Sequence, residues 1–319
     1  MAFDTSTTSA ISEEFKQYYD RTLLKAARPE LLHNQFGQSR PILARYATSI
    51  EFRKYSLLAV ATTALTEGTP PSGSNADVTN VTASVSQYGA YIQGTDIVET
   101  QTFDDHMNEI AGVMGQQMGA TLDILTRNVL VGGTTVQFGD AKGSRGLIGS
   151  TNYLDAVEIA KSVRTLSRND APKWPGSLYR AIIHPDVKYD LQQDSTLQNF
   201  WRDAGQRGVE TDNPLFSANI GRIFGVEFFE TSNARIWTSL GLSGADIYAT
   251  LVFGRNAYGV VELEPLSAET IYHPRTESGT GGPLNQSWTY GWKASHTAAI
   301  LDQNFLVRVE TTSAYKNAA

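Results

Sequence analysis

The sequence predicts an α+β fold with elements that project from a packed body. Three observations carry this. Two β-rich stretches flank a Pro/Gly-rich tip. One helical stretch of about 28 residues, or roughly 42 Å, follows them. After that come short strands mixed with helices, and then a final third that is mostly β.

The chain begins with helical spacing. Ile11, Phe15, Tyr18, Tyr19, Leu23 and Ala26 recur at steps that line one helix face. Ser12 before Glu13 and Glu14 suits its start, and Pro29 after Arg28 ends it. Glu30 to Pro41 then reads as irregular.

Residues 50–65, IEFRKYSLLAVATTAL, are rich in β-branched, aromatic and aliphatic side chains. Residues 78–93 alternate, with Val81, Ala83 and Val85 on one face and Thr82, Ser84 and Ser86 on the other. Between them lies TEGTPPSGSNAD, a loop tip longer than an ordinary hairpin turn. Two arms of about 16 residues would make a ribbon of roughly 50 Å. A body of this size has a radius of gyration of about 20 Å. The polar face and tip favour a ribbon that reaches away and needs a partner surface, because an isolated ribbon is marginally stable.

The long helix opens on Thr102, Asp104 and Asp105, which cap it and place negative charge at its positive end. Met107, Ile110, Met114, Met118, Leu122, Leu125 and Val129 form one apolar stripe, and Gly132-Gly133 closes the helix. Gly112, Gly115 and Gly119 flank the stripe. They read as either the seat of a closely packed neighbour or a tolerated surface row.

Thr134 to Asn152 is a Gly-rich connection. Helical spacing returns through Leu154, Val157, Ala160, Val163 and Leu166. Tyr179–Ile183 reads as a buried strand, and Pro185–Leu191 as a helix opening on Pro. Further strands are expected at 226–229, 247–253, 258–263, 269–272, 287–296, 298–300 and 305–310.

Bulk properties narrow the function. The 319 residues are 41% hydrophobic and 18% charged, with net charge −7. Residues 1–60 are net +2 and the remainder is −9, so the chain is not built to grip nucleic acid by neutralising phosphates. There is no cysteine, which excludes disulfides, thiolate metal sites and Cys nucleophiles. MAFDTSTTSA lacks the pattern of a signal peptide, and no apolar run approaches the roughly 18 residues of a membrane span.

Catalytic motifs are not apparent. His33, His106, His184, His273 and His296 form no HExxH and no close pair. His184-Pro185-Asp186 reads as a strand-to-helix junction. The glycine run 139–146 fails the spacing of a phosphate loop. Trp174, Trp201, Trp237, Trp288 and Trp292 are scattered without the basic interleaving of a single-strand binder. No catalytic, cofactor or metal residue is assigned, and no cofactor is expected. What remains suits an assembly protein, whose function is the geometry of its interfaces.

Five stretches in order carry a resemblance: RTLLKAARPELLHNQFGQ at 21–38, SIEFRKYSLLAVATTALTEG at 49–68, AIIHPDVKYDL at 181–191, IGRIFGVEFFETSNAR at 220–235 and TYGWKASHTAAILDQNFLVRVETTS at 289–313. Through them the chain resembles tailed-phage major capsid proteins of the Hong Kong 97-type fold, and within these the phage N-four-like coat family. The resemblance implies an N-terminal arm at 1–48 and an extended β-hairpin loop at 49–98 lying over a neighbouring subunit. It implies a peripheral domain at 99–149 with a spine helix at 104–131, an axial domain at 150–262, and C-terminal strands at 263–319 that return to both domains. It further implies hexamers and pentamers in an icosahedral head around double-stranded DNA, with a portal at one vertex and possible scaffolding or decoration proteins. DNA would be enclosed without sequence-specific binding, no membrane is involved, and assembly would take place in the host cytoplasm. Arg53, Lys54, Glu67, Pro70 and Pro71 are the candidate inter-subunit contacts, the charged ones as ion pairs. No covalent cross-link is expected. An encapsulin-like compartment shell and a soluble α/β enzyme are the alternatives.

Overall fold

Two sheets and one long helix carry the fold. The computed structural model describes residues 32–42, 49–55, 75–95, 106–199, 222–263, 268–274 and 286–315, with scattered positions between 58 and 73. The helix expected at 11–28 lies outside the described residues, as do Pro70 and Pro71.

The long helix forms as its stripe predicts. Helix α2 spans His106–Val131, after a short α1 at Leu32–Gln35. Ile110, Met114, Met118 and Leu122 are buried, and Leu125 packs at the edge of the same cluster. At the C-terminal end the fully buried residue is Leu130, while Val129 is only half-buried. The side chain of Met107 is outside the described set. Of the glycine row, Gly115 and Gly119 are buried, but a Cβ on Gly112 would meet nothing within 4 Å.

The stripe lies on a five-stranded sheet. Its strands are β1 (Gln38–Ile42), β4 (Ser86–Thr95), β11 (Tyr258–Leu263), β12 (Glu269–His273) and β13 (Ser287–Ile300). β13 is one continuous strand, not two, and presents Trp288, Tyr290, Trp292 and Ala294 to the helix. Each such large apolar side chain contributes about 1.5–3 kcal/mol when fully buried.

A seven-stranded sheet forms the second layer. It joins β5 (Val136–Phe138), β6 (Tyr179–Ile183), β7 (Arg222–Ile223), β8 (Val226–Glu230), β9 (Ile236–Trp237), β10 (Ile247–Phe253) and β14 (Leu306–Thr311) in the order β5-β14-β10-β6-β8-β7, with β9 also on β10. Every residue of β10 is buried, as an unbroken apolar run at a sheet centre requires. One face packs on α3 (Ala156–Arg168) and α4 (Pro185–Gln193). The other face meets Phe36, Leu130, Tyr258 and Val260, so the two sheets share a core at the C-terminal end of α2.

Four expectations are corrected. From residue 32 on, the stretch expected to be irregular is ordered: α1 is followed by β1, which pairs parallel to β11. The connection 134–152 contains β5, parallel to β14. Helix α3 buries Ala156, Ile159, Ser162 and Leu166, while Val157 and Ala160 face outward. The fourth is the ribbon. β2 (Ser49–Tyr55) pairs antiparallel with β3 (Val78–Ser84) over seven residues, roughly 23 Å of ladder at about 3.4 Å per residue. The second arm then changes partner, and β4 joins β13. A period of two identifies a strand but not its neighbour, which is why the arms read as longer.

Candidate inter-subunit surface

The ribbon is held to the body at one end and exposed at the other. Phe52 is buried and packs with Ala83 and Val261. It lies over Gly259, where an added Cβ would come within 2.7 Å of the Phe52 ring. Beyond this point Tyr55, Leu58, Val60 and Val78 are 65%, 57%, 85% and 47% exposed. Tyr55 and Val78 close the ladder, and Leu58 and Val60 lie beyond it, so large apolar side chains stand open at the outer end of the ribbon, as at surfaces used for contact.

The predicted contact residues divide. Lys54 is committed to its own chain, where it pairs with Asp302 and lies 5.5 Å from the Phe305 ring centre. Arg53 is exposed opposite Asn80 on β3. Glu67 is exposed in a turn twelve residues beyond Tyr55. The structure does not bring Arg53 and Glu67 together within the chain. Sequence reasoning missed Arg40, whose guanidinium stands 5.2 Å over the Phe52 ring, because nothing local marks β1 as a strand beside the ribbon.

Between the ribbon and the body is a cleft of about 200 Å³, lined by Arg40, Phe52, Arg53, Lys54, Asp302 and Phe305 among others. A second, shallower trough of about 420 Å³ lies on the outer face of the five-stranded sheet, with Gly89 and Gly291 on its floor and Tyr91, Ile271 and Lys293 around it. Charged groups converge in the first, where Arg40, Arg53 and Lys54 stand with Asp302, while the second carries only Lys293 and His273 besides its tyrosines.

The buried polar residues serve the scaffold. The His33 backbone N–H donates to Asp123 Oδ1 at 2.6 Å, and His33 Nδ1 is 2.7 Å from Asp123 Oδ2. Thr126 Oγ1 is 2.9 Å from His296 Nε2, and the Tyr258 hydroxyl donates to the His33 carbonyl. These bonds tie α1 to α2 and β11, and α2 to β13. Burial pushes the His296 imidazole down to about 4, so it stays neutral. Glu310, fully buried, accepts both Nε and Nη2 of Arg145 at 2.7 Å and also faces Arg308 Nε at 2.7 Å. Arg308 also donates to the carbonyls of Val131 and Gly133 and so completes the end of α2. His184 caps α4, its Nδ1 accepting from the Asp186 N–H, as the strand-to-helix reading requires.

With this geometry in place, the comparisons with known proteins decide the family. A model described as "Phage capsid protein" matches residues 77–309, well over half of the chain. The chain belongs to the phage capsid protein family. It is a structural major capsid protein of the virion head, and its copies assemble into shell oligomers.

Solved capsids share the capsid protein's fold. The cyanophage Pam1 capsid is 17% identical with a TM-score of 0.68, covering 86% of this chain and 87% of that one. The Ralstonia phage GP4 capsid is 14% identical with a TM-score of 0.67, covering 90% of each. The acid-stable capsid of Helicobacter pylori bacteriophage KHP30 is 11% identical with a TM-score of 0.65, covering 86% and 88%. No curated protein matches the sequence.

Proposed function

We propose that the capsid protein forms hexameric and pentameric capsomers of an icosahedral head that encloses double-stranded DNA. In this reading residues 1–48 are an N-terminal arm, and the 49–98 loop lies over a neighbouring copy. Residues 99–149, with the spine helix, form the peripheral domain. Residues 150–262 form the axial domain, and 263–319 return to both. The chain acts without catalysis. It assembles in the host cytoplasm, with a portal at one vertex and any scaffold or decoration protein supplied separately.

The observation that carries this reading is the β2–β3 ribbon. Tyr55 at the end of its ladder, and Leu58 and Val60 just beyond it, stand open on their own chain, and a two-stranded ladder needs a surface to lie on. A cluster of exposed apolar groups repeated on every copy favours closed association through one repeated contact.

The test is electron microscopy of the protein expressed alone, paired with light scattering. Closed shells or capsomer-sized rings are expected. A folded monomer at high concentration, with the ribbon protected by its own body, sinks the proposal. Shells that enclose a protein cargo rather than DNA in the producing cell favour a compartment instead.

A further inference from the structure

Building on the reading of the ribbon as a contact between copies, we propose that the cleft beside the ribbon receives the Glu67 carboxylate from the ribbon tip of a second copy. Neighbouring copies are then joined tip to cleft.

The charge distribution points to this pairing. Three cations, Arg40, Arg53 and Lys54, line the cleft with one carboxylate, Asp302. Asp302 is almost fully buried and already engaged by Lys54. Arg40 and Arg53 are exposed and have no carboxylate partner among the described residues. The floor is apolar, formed in part by Phe52 and Phe305. Arg40 also reaches the Gln38 side-chain amide, but a site with two guanidiniums lacking a carboxylate and with aromatic rings beside them suits a carboxylate on a short flexible stem.

The ribbon supplies such a group. From residue 55 to 95 there is no Lys, Arg or His, and the acids are Glu67 and Asp77. Asp77 adjoins the ladder end at Val78, beside its own Tyr55. Glu67 is farther out, up to roughly 40 Å of extended chain beyond Tyr55. It is exposed, so it does not fill its own cleft. A contact that uses a tip on one copy and a cleft on the next is heterologous, and such a contact closes into a ring when the rotation between copies is a whole fraction of a turn.

Charge reversal tests the pairing in the full-length chain. One variant carries Glu67→Arg, and the other carries Arg40→Gln with Arg53→Glu. Sedimentation velocity measures the assembled fraction, and circular dichroism monitors folding. Each variant alone sets like charges against each other and is expected to lose about tenfold or more of the assembled fraction. An equal mixture restores even-membered rings such as hexamers, because in an alternating ring each tip meets a cleft of opposite charge. The pairing is overturned if Glu67→Arg assembles like the unmodified chain, or if two folded variants stay unassembled when mixed. If a variant does not fold, Glu67→Gln and Arg53→Gln replace the reversals in a double-mutant cycle. The second change then adds little to the first if the residues are partners, and full additivity overturns the pairing. Failure of the unmodified chain to assemble counts against the proposed function itself and removes this pairing with it.

Discussion

Glu310 and His296 show how single residues set the tolerance of this scaffold. Glu310 is fully buried between Arg145 and Arg308, and its bond to Arg145 holds that guanidinium above its ordinary pKa. Glu310→Gln leaves two partly buried guanidiniums without their counter-charge. It is expected to cost about 3–5 kcal/mol, read as a lower urea midpoint. His296 works through pH. Its folded pKa of about 4 lies below the ordinary histidine value of 6.5, so the unfolded chain takes up the proton first as pH falls. The stabilisation from neutral His296 is complete above about pH 6.5. It declines through the window down to about 4, by on the order of 3 kcal/mol. Thermal melts of His296→Gln should show a visibly shallower slope between pH 6.5 and 4 than the unmodified chain. The sequence contained neither relation. Asp123 and His33 are 90 residues apart, and Thr126 and His296 are 170 apart. Nothing in the local pattern of either partner marks it as buried beside the other.

At the scale of elements, the long helix α2 was legible and the ribbon only half so. Seven apolar residues at steps of three and four specify a helix face whatever lies against it. β3 and β4 read as one arm because Ser84, Val85 and Ser86 continue the alternation across the change of partner. The change is imposed by β13, whose long face offers ten register positions to β4. The anchor at the other arm is the contact of Phe52 with Gly259. Gly259→Ala forces the Phe52 ring aside and is expected to cost about 1–3 kcal/mol. The loss should be uneven. Amides of 49–55 and 78–84 should exchange faster with solvent, while β10 and β14 keep their protection. Equal acceleration throughout would show that the ribbon is not an independent appendage.

For the whole molecule, the exposure of the candidate contacts was partly readable. Arg53 and Glu67 stand out as charges on a ribbon, and both are exposed as a contact between copies requires. Lys54 reads the same way, yet it belongs to Asp302, 248 residues later. Removal of residues 66–77 should leave the two sheets and α2 folded, since none of their cores contains a described residue of this stretch. The shortened chain should show the far-ultraviolet dichroism of the full chain but remain at capsomer size or below in light scattering. Intact shells from it would place the essential contacts elsewhere.

The sequence by itself determined where the long helix runs, most of the strands of the two sheets, and that no thiol chemistry operates. These follow from periodicity and composition, which each segment carries in its own residues. Only the tertiary structure decided that residues 32–42 lock between the spine helix and both sheets, that β4 leaves the ribbon for β13, and that Lys54 turns inward while Arg40 joins Arg53 at the cleft. Each of these depends on which distant surfaces bury one another. A local pattern of apolar and polar residues marks a surface for burial without naming its partner.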